Sequence, residues 1–245
     1  MTPIDNDKAG CLPKGKGLII EFVGPTGSGK TTNCFHFTEF FRKQDFDVYT
    51  FSDIKEFLYN LELNHRFHIY FKTLFSNGPH LLSYIFLLAR HGIYSFDSIY
   101  RYAKLCVFNS ALHQFVIARE VDVILLDQWV IQGLWSATIF KIESYEKLQE
   151  DLKRFYFKTD CELYFDIDEE TACERIHARD SGRSRFDKMS YGKKLAELKR
   201  HNPYLYRLYE KSDCEKKFKF STRVSPAQNA EDFFQRLKYS ITPEK

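Results

Sequence analysis

A chain of 245 residues is long for one domain and short for two, and it reads as a single domain carrying an inserted segment. Its 36 basic and 33 acidic residues leave a net charge of +3, which gives no electrostatic case for a nucleic-acid partner. The longest apolar run, YIFLLA at 84–89, is far too short for a membrane span, and the six cysteines follow neither a CxxC nor a zinc-type Cys/His spacing.

The acidic start MTPIDND carries no apolar signal segment, so the expectation is a soluble, cytoplasmic protein with reduced thiols. Residues 1–16 read as a leader and 17–245 as the folded domain. GLIIEFV (17–23) is a β-branched apolar run suited to a strand covered on both faces, and a helix should follow from Lys30 to Lys43. DVYTF (47–51) is a second strand. Residues 54–118 read as helical, with breaks at Gly78-Pro79 and His91-Gly92. VDVILLD (121–127) and CELYFDID (161–168) are strands, the latter followed by the helix EETACERIHAR. KKFKFST (216–222) is the last strand, and Pro226 opens a final helix to Tyr239. Strands alternating with helices predict an α/β fold with a parallel sheet covered on both faces.

Between the first strand and the first helix stands GPTGSGKTT, Gly24 to Thr32. It satisfies G-x-x-x-x-G-K-[ST], in which glycines let successive backbone N–H groups turn inward toward phosphate oxygens and a helix N-terminus adds its positive end. The candidate nucleotide contacts are Gly24, Thr26, Gly27, Ser28, Gly29, Lys30, Thr31 and Thr32. Lys30 can reach the terminal phosphates, and the Thr31 hydroxyl can ligate magnesium.

Asp127 closes the strand VDVILLD, at the carboxyl end where open α/β sheets hold ligands, and is the second candidate for the metal site. The next residue is Gln128, whose amide can orient water but cannot take a proton; this disfavours hydrolysis as the main reaction. Neither N-K-x-D nor LSGGQ occurs, so guanine-specific switching and transporter-type ATPase activity are unsupported. In LYFDIDEETACERIHARDSGRSRFD, Arg175 and Arg179 are four apart on one predicted helix face, followed by Arg183 and Arg185 in a Gly/Ser stretch. Guanidinium groups on a closing flap at about 175–190 suit the charge that develops on a transferring phosphoryl group.

These blocks, with HNPYLYRLYE and the closing strand and helix, resemble the thymidylate kinase group of P-loop kinases, which is related to the deoxynucleoside kinases. The resemblance covers about half the chain. It implies a three-layer sandwich around a five-stranded parallel sheet, ATP and Mg2+ as donor, and an arginine-bearing lid. It places Lys30 on the transferred phosphate, Thr31 and Asp127 at the metal, and Arg175, Arg179 and Arg185 at the lid positions. The loop STRVSPAQ (221–228), with Arg223, would lie against the adenine. Two acceptor-side features depart from the group: Gln128-Trp129 stands where an arginine follows the aspartate, and FSDIKEF replaces an E-P-G turn.

On the acceptor side, Asp53 admits two compatible readings. It can orient or deprotonate an acceptor hydroxyl, or it can share with Ser52 the role of N-cap to a helix. Arg101 is the preferred acceptor contact, with Arg90, His91 and Lys104 as the other polar candidates of the helical segment; Gln128, directly after Asp127, is a separate acceptor-side candidate. The twelve aromatic residues Phe57, Tyr59, Phe67, Tyr70, Phe71, Phe75, Tyr84, Phe86, Tyr94, Phe96, Tyr100 and Tyr102 are expected to be mostly core. His65 and His68 read as surface residues. The expected partner is a small-molecule phosphoryl acceptor (nucleoside, nucleotide or sugar-like), with neither nucleic acid nor membrane, and a homodimer is left open. A P-loop NTPase, or a non-catalytic nucleotide-binding protein acting on a protein partner, is the alternative reading.

Overall fold

A computed structural model describes residues 15, 17–92, 95–138, 155, 157–179 and 186–241, except for the side chains at 74, 76, 77 and 241. The predicted leader, apart from Gly15, and Tyr94, Arg183 and Arg185 therefore lie outside the described residues. In chain order the elements are β1 (Leu18–Val23), α1 (Lys30–Arg42), β2 (Val48–Thr50), α2 (Phe51–Asn60), α3 (Leu63–Arg90), α4 (Phe96–Ala118) and β3 (Val123–Leu126). They continue with α5 (Val130–Thr138), β4 (Cys161–Asp166), α6 (Glu169–Ala178), α7 (Tyr191–Lys211), β5 (Lys216–Ser221) and α8 (Pro226–Ile241). Among the described residues, no helix is long and apolar enough to cross a membrane.

The five strands form one sheet in the order β2-β3-β1-β4-β5, with every pairing parallel. β1 is central; Ile20 lies opposite Leu125 of β3 on one side and Cys161 of β4 on the other. Because strand side chains alternate, β1 feeds two cores. Ile20 and Phe22 pack with Phe37 and Phe41 of α1 and Phe233 of α8. Val23 joins Ile124, Leu126 and Tyr164 against α4, α5 and α7. Helices thus cover both faces, which is the three-layer α/β arrangement. The first core is rich in phenylalanine: Phe22 meets Phe37 edge-on at 5.1 Å and stacks on Phe165 at 5.3 Å. Strand order turns around β1, so the ends of β1 and β3 frame the crevice where such sheets hold ligands.

Four local expectations are corrected. The α3 helix runs straight through Gly78-Pro79, and its break comes at His91-Gly92, where Gly92 takes φ +65° and its N–H donates to Ala89 O at 2.9 Å. Pro79 deprives the carbonyl of residue 75 of its helical donor, but Pro79 and Phe75 are both exposed, so water can serve that carbonyl. The N-cap of α2 is Thr50, not Ser52 or Asp53; Asp53 is the third helical residue and closes a capping box. The α6 helix ends at Ala178, and Arg179 is an extended C-cap, so Arg175 and Arg179 do not share a helix face. Finally, most of the named aromatics are not core: Tyr84 and Tyr102 are buried, but Tyr59, Phe67, Tyr70, Phe71, Phe75, Phe86, Phe96 and Tyr100 are exposed.

Candidate active site

The segment 24–29 joins the carboxyl end of β1 to α1. Gly29 is the N-cap of α1 with φ +77°, and Gly27 has φ +89°, conformations that side-chain-bearing residues rarely adopt. A Cβ at Gly27 would lie 2.6 Å from the Ala172 carbonyl of α6, so the loop and α6 touch backbone to backbone. Among the described residues no side chain caps α1, and its first turn has no acid. The opening N–H groups are therefore left for an anion. The loop is anchored from below: Asn33 Nδ2 donates to Gly29 O at 3.0 Å, while Asn33 Oδ1 accepts from Asn229 Nδ2 of α8 at 3.2 Å.

Lys30 lies within this turn, only 9% exposed. Its ammonium donates to Gly24 O at 2.6 Å, Pro25 O at 2.9 Å and Ser28 Oγ at 3.4 Å. Burial draws its pKa down to about 7; the Asp127 carboxylate opposes that shift and the Arg179 guanidinium adds to it. Thr31 and Asp127, 96 residues apart, meet directly, with Thr31 Oγ1 donating to Asp127 Oδ2 at 2.9 Å. A hydroxyl and a carboxylate thus adjoin at the mouth of the loop, the hard oxygen donors that suit Mg2+. Thr26 is half-buried, Ser28 buried, and Thr32 exposed.

The arginines approach from the other side. Arg175, in the last turn of α6, donates to Thr222 O at 3.4 Å, and its Nη1 would lie 3.9 Å from a Cβ built on Gly29. Arg179 donates through Nε and Nη2 to the buried Asp187 carboxylate, at 3.3 and 3.0 Å. Arg223 is 87% exposed and lies 3.8 Å from Asp168. Arg185 falls outside the described residues.

Beside the loop, a cavity of about 240 Å3 is lined by Phe51 of α2, Arg101, Lys104 and Phe108 of α4, Gln128 and Trp129 after β3, and Gln132 and Ser136 of α5. Arg101 and Gln128, predicted separately, thus share one pocket. Arg101 is held in place, with Nε donating to Asp97 at 2.7 Å and Nη1 to Ser136 Oγ at 3.1 Å. Asp53 does not line this cavity. It borders a separate hollow of about 320 Å3 with Glu56 and Arg119, and its Oδ2 accepts from Thr50 N at 2.6 Å and Thr50 Oγ1 at 2.7 Å.

Trp129, noted in the sequence as an acceptor-side departure, and Gln132, which sequence reasoning passed over together with Glu21 behind it, are buried in the pocket wall; neither Trp129 Nε1 nor Gln132 Oε1 finds a hydrogen-bond partner among the described residues. Glu21, in the middle of β1, is fully buried and accepts from the backbone N–H of Ile131 at 2.9 Å and of Gln132 at 3.5 Å, capping α5. Burial first, and the Glu162 carboxylate second, hold its pKa well above the ordinary range. The available signal was one acid inside an otherwise apolar strand.

No family model matches the chain, and no curated protein matches it in sequence. Among solved structures the chain is similar to the shikimate kinase from Acinetobacter baumannii in complex with shikimate, with a TM-score of 0.45 and 15% identity, over 94% of this chain and 97% of that one.

Proposed function

We propose that this protein is an ATP-dependent phosphotransferase that moves the terminal phosphoryl group of ATP to a small molecule seated in the Arg101–Gln128 pocket. One observation carries the reading: a loop built for phosphates, with Thr31 against Asp127, opens beside a half-enclosed pocket lined by the residue that follows Asp127. The residues fit the donor. Gly27 and Gly29 allow the backbone to curl, the start of α1 carries neither a side-chain cap nor an acid among the described residues, and Lys30 supplies a cation. Thr31 and Asp127 would hold Mg2+, which when bound offsets phosphate charge.

In this reading Lys30 exchanges its bonds to the Gly24 and Pro25 carbonyls for phosphate oxygens and becomes fully protonated in doing so. Arg175 and Arg179 neutralise charge as it spreads over the transferring group's oxygens. Arg101 and Gln128 orient the acceptor so that its nucleophilic oxygen points at the loop. Gln128 takes no proton, so it does not generate hydroxide from water, which favours transfer over hydrolysis. Asp53 is assigned to the start of α2. The acceptor class is a nucleoside, a nucleotide or a sugar-like metabolite, and the thymidylate kinase group is the functional pattern the motifs resemble.

The test is a transfer assay with ATP, Mg2+ and pooled nucleosides, nucleotides and sugars, scored by a mass gain of one phosphoryl group. The proposal expects one pool to be phosphorylated and Lys30→Met to abolish the gain. ATP turnover at the same rate with and without every pool would replace it with a hydrolase; ATP binding without turnover would replace it with a non-catalytic nucleotide-binding protein.

A further inference from the structure

The bridge from β3 to α5 is Asp127-Gln128-Trp129, and it carries both the carboxylate that meets Thr31 and an amide of the acceptor pocket. One residue holds both of its ends. In the parallel register of β1 and β3, Glu21 lies opposite Leu126, the residue before the bridge. Its Oε1 accepts from the N–H groups of Ile131 and Gln132, just after the bridge, at 2.9 and 3.5 Å. So short a bridge, pinned at both ends, takes its direction from where Glu21 sits. Yet the cap alone does not call for an acid. Glu21 is fully buried, and its register neighbour in β4 is a second carboxylate, Glu162. Burial first, and Glu162 second, favour its protonated form.

Polar groups sealed from water are ordinarily paired. Glu21 Oε2 is buried without a hydrogen-bond partner among the described residues, and so is the side-chain Oε1 of Gln132, whose backbone Glu21 already holds. Trp129 Nε1–H, buried nearby, bonds to neither. Two acceptors cannot satisfy each other unless one of them carries a hydrogen, and a protonated carboxyl does. We infer that Glu21 is a positioning residue for the phosphoryl acceptor: its carboxyl O–H donates to Gln132 Oε1, which fixes that amide with its NH2 group turned into the pocket.

The pocket agrees. Gln132 borders the cavity, and Oε1 is the sealed end of its amide, so NH2 is the end that meets a ligand. Arg101, Lys104 and Gln132 then all offer hydrogen, and among the described residues no carboxylate lines the cavity. The part of the acceptor that reaches Gln132 is therefore a group that accepts a hydrogen bond, such as a carbonyl oxygen or a ring nitrogen, and not an N–H. An ionised Glu21 would reverse this choice: it would accept from the NH2 group and turn Oε1 to the ligand. The inference rests on the phosphotransferase reading for its ligand, but not for the hydrogen bond itself.

The first measurement is the infrared difference spectrum of the full chain against its Glu21→Gln variant at pH 7. A carboxylic-acid C=O band present in the wild type and lost in the variant is expected; no such band means an ionised Glu21 and overturns the inference. This spectrum needs neither ATP nor acceptor, so if no pool is phosphorylated the phosphotransferase reading falls and the hydrogen bond is still decided. The second measurement is the KM of the compound that the transfer assay finds. Glu21→Gln keeps a carbonyl for Ile131 N–H and offers NH2 in place of O–H, so that KM should stay within about 3-fold. Glu21→Leu offers neither and should raise it by about 10- to 100-fold. Gln132→Leu should raise it as far, and the double variant no further, because both changes remove one hydrogen-bonded unit. Circular dichroism controls for folding; if Glu21→Leu does not fold, the infrared band and the KM of Glu21→Gln decide. Additive losses in the double variant, a Glu21→Gln variant whose KM rises 10-fold or more, or a Glu21→Leu variant that melts lower with its KM unmoved would reduce Glu21 to a helix cap and overturn the inference.

Discussion

The phosphate loop and the acceptor pocket sit side by side, yet they are made differently. The loop is nine consecutive residues whose work is done by backbone, with three positive-φ glycines, a helix start that no side chain caps among the described residues and one lysine folded into the turn. The pocket is assembled from side chains of α2, α4, α5 and the β3 end, residues 51 to 136. Backbone chemistry tolerates few sequences, so it leaves a signature. A wall of side chains tolerates many and is rebuilt for each ligand. The loop therefore identifies a reaction class, while only the pocket can identify the substrate.

That contrast can be broken most directly at Lys30. Lys30→Met is expected to lower transfer by about a thousandfold or more, since stabilising the charge on the transferring group supplies much of the acceleration in phosphoryl transfer. The sign of its titration gives a second reading. With a pKa of about 7, Lys30 is mostly neutral at pH 8. Phosphate oxygens favour the ammonium, so ATP binding at pH 8 should take up close to one proton, and at pH 6 almost none. Apparent affinity should fall as pH rises above 7. Calorimetry in buffers of different ionisation enthalpy measures the uptake, and its persistence in Lys30→Met would remove Lys30 from the phosphate site.

Gly27→Ala tests the backbone half of the comparison. The new Cβ would press on the Ala172 carbonyl, and φ +89° disfavours any L side chain. A loss of about 2 kcal/mol is expected, lowering the melting temperature by about 4–8 °C in a domain of this size. ATP affinity should fall with it. An unaltered melt would mean the loop and α6 are not in backbone contact.

Arg101→Ala tests the side-chain half. Its expected effect is a 10- to 100-fold rise in the KM for the acceptor, the worth of a charged hydrogen bond, with the KM for ATP unchanged. Equal damage to both constants would show that the pocket and the loop are one site, and the distinction between them would collapse.

How much was legible follows the same division. Every strand of the sheet and the whole loop stood out in sequence, because short apolar runs and a glycine pattern are local signals. Thr31 and Asp127 could be paired in advance because a strand end after a P-loop has a fixed place in the sheet. What could not be read depends on packing. Gly78-Pro79 looks like a break until α3 is seen to continue with its proline on the solvent side. Arg179 looks helical until α6 ends one residue earlier and Asp187 takes its guanidinium. The aromatic residues of α3 look like core because composition does not say which face of a helix is turned inward. Glu21 and Gln132 become neighbours only when α5 folds back over β1.

The smallest expected effect concerns Asp53, where the two halves of the comparison compete for one carboxylate. Both Thr50 bonds fall on the same oxygen, Oδ2, and close a reciprocal box at the first turn of α2. A residue in that position contributes about 1 kcal/mol to the helix start. Asp53→Ala should therefore lower the melting temperature by about 2–4 °C, while kcat for transfer stays within a factor of a few. Asp53→Asn should behave alike, since the amide oxygen still accepts from Thr50 but its NH2 group cannot act as a base. A general base contributes about 100- to 10,000-fold. If kcat falls that far in Asp53→Asn with the melt unchanged, Asp53 belongs to the chemistry, and the second hollow, lined by Glu56 and Arg119, becomes part of the acceptor site.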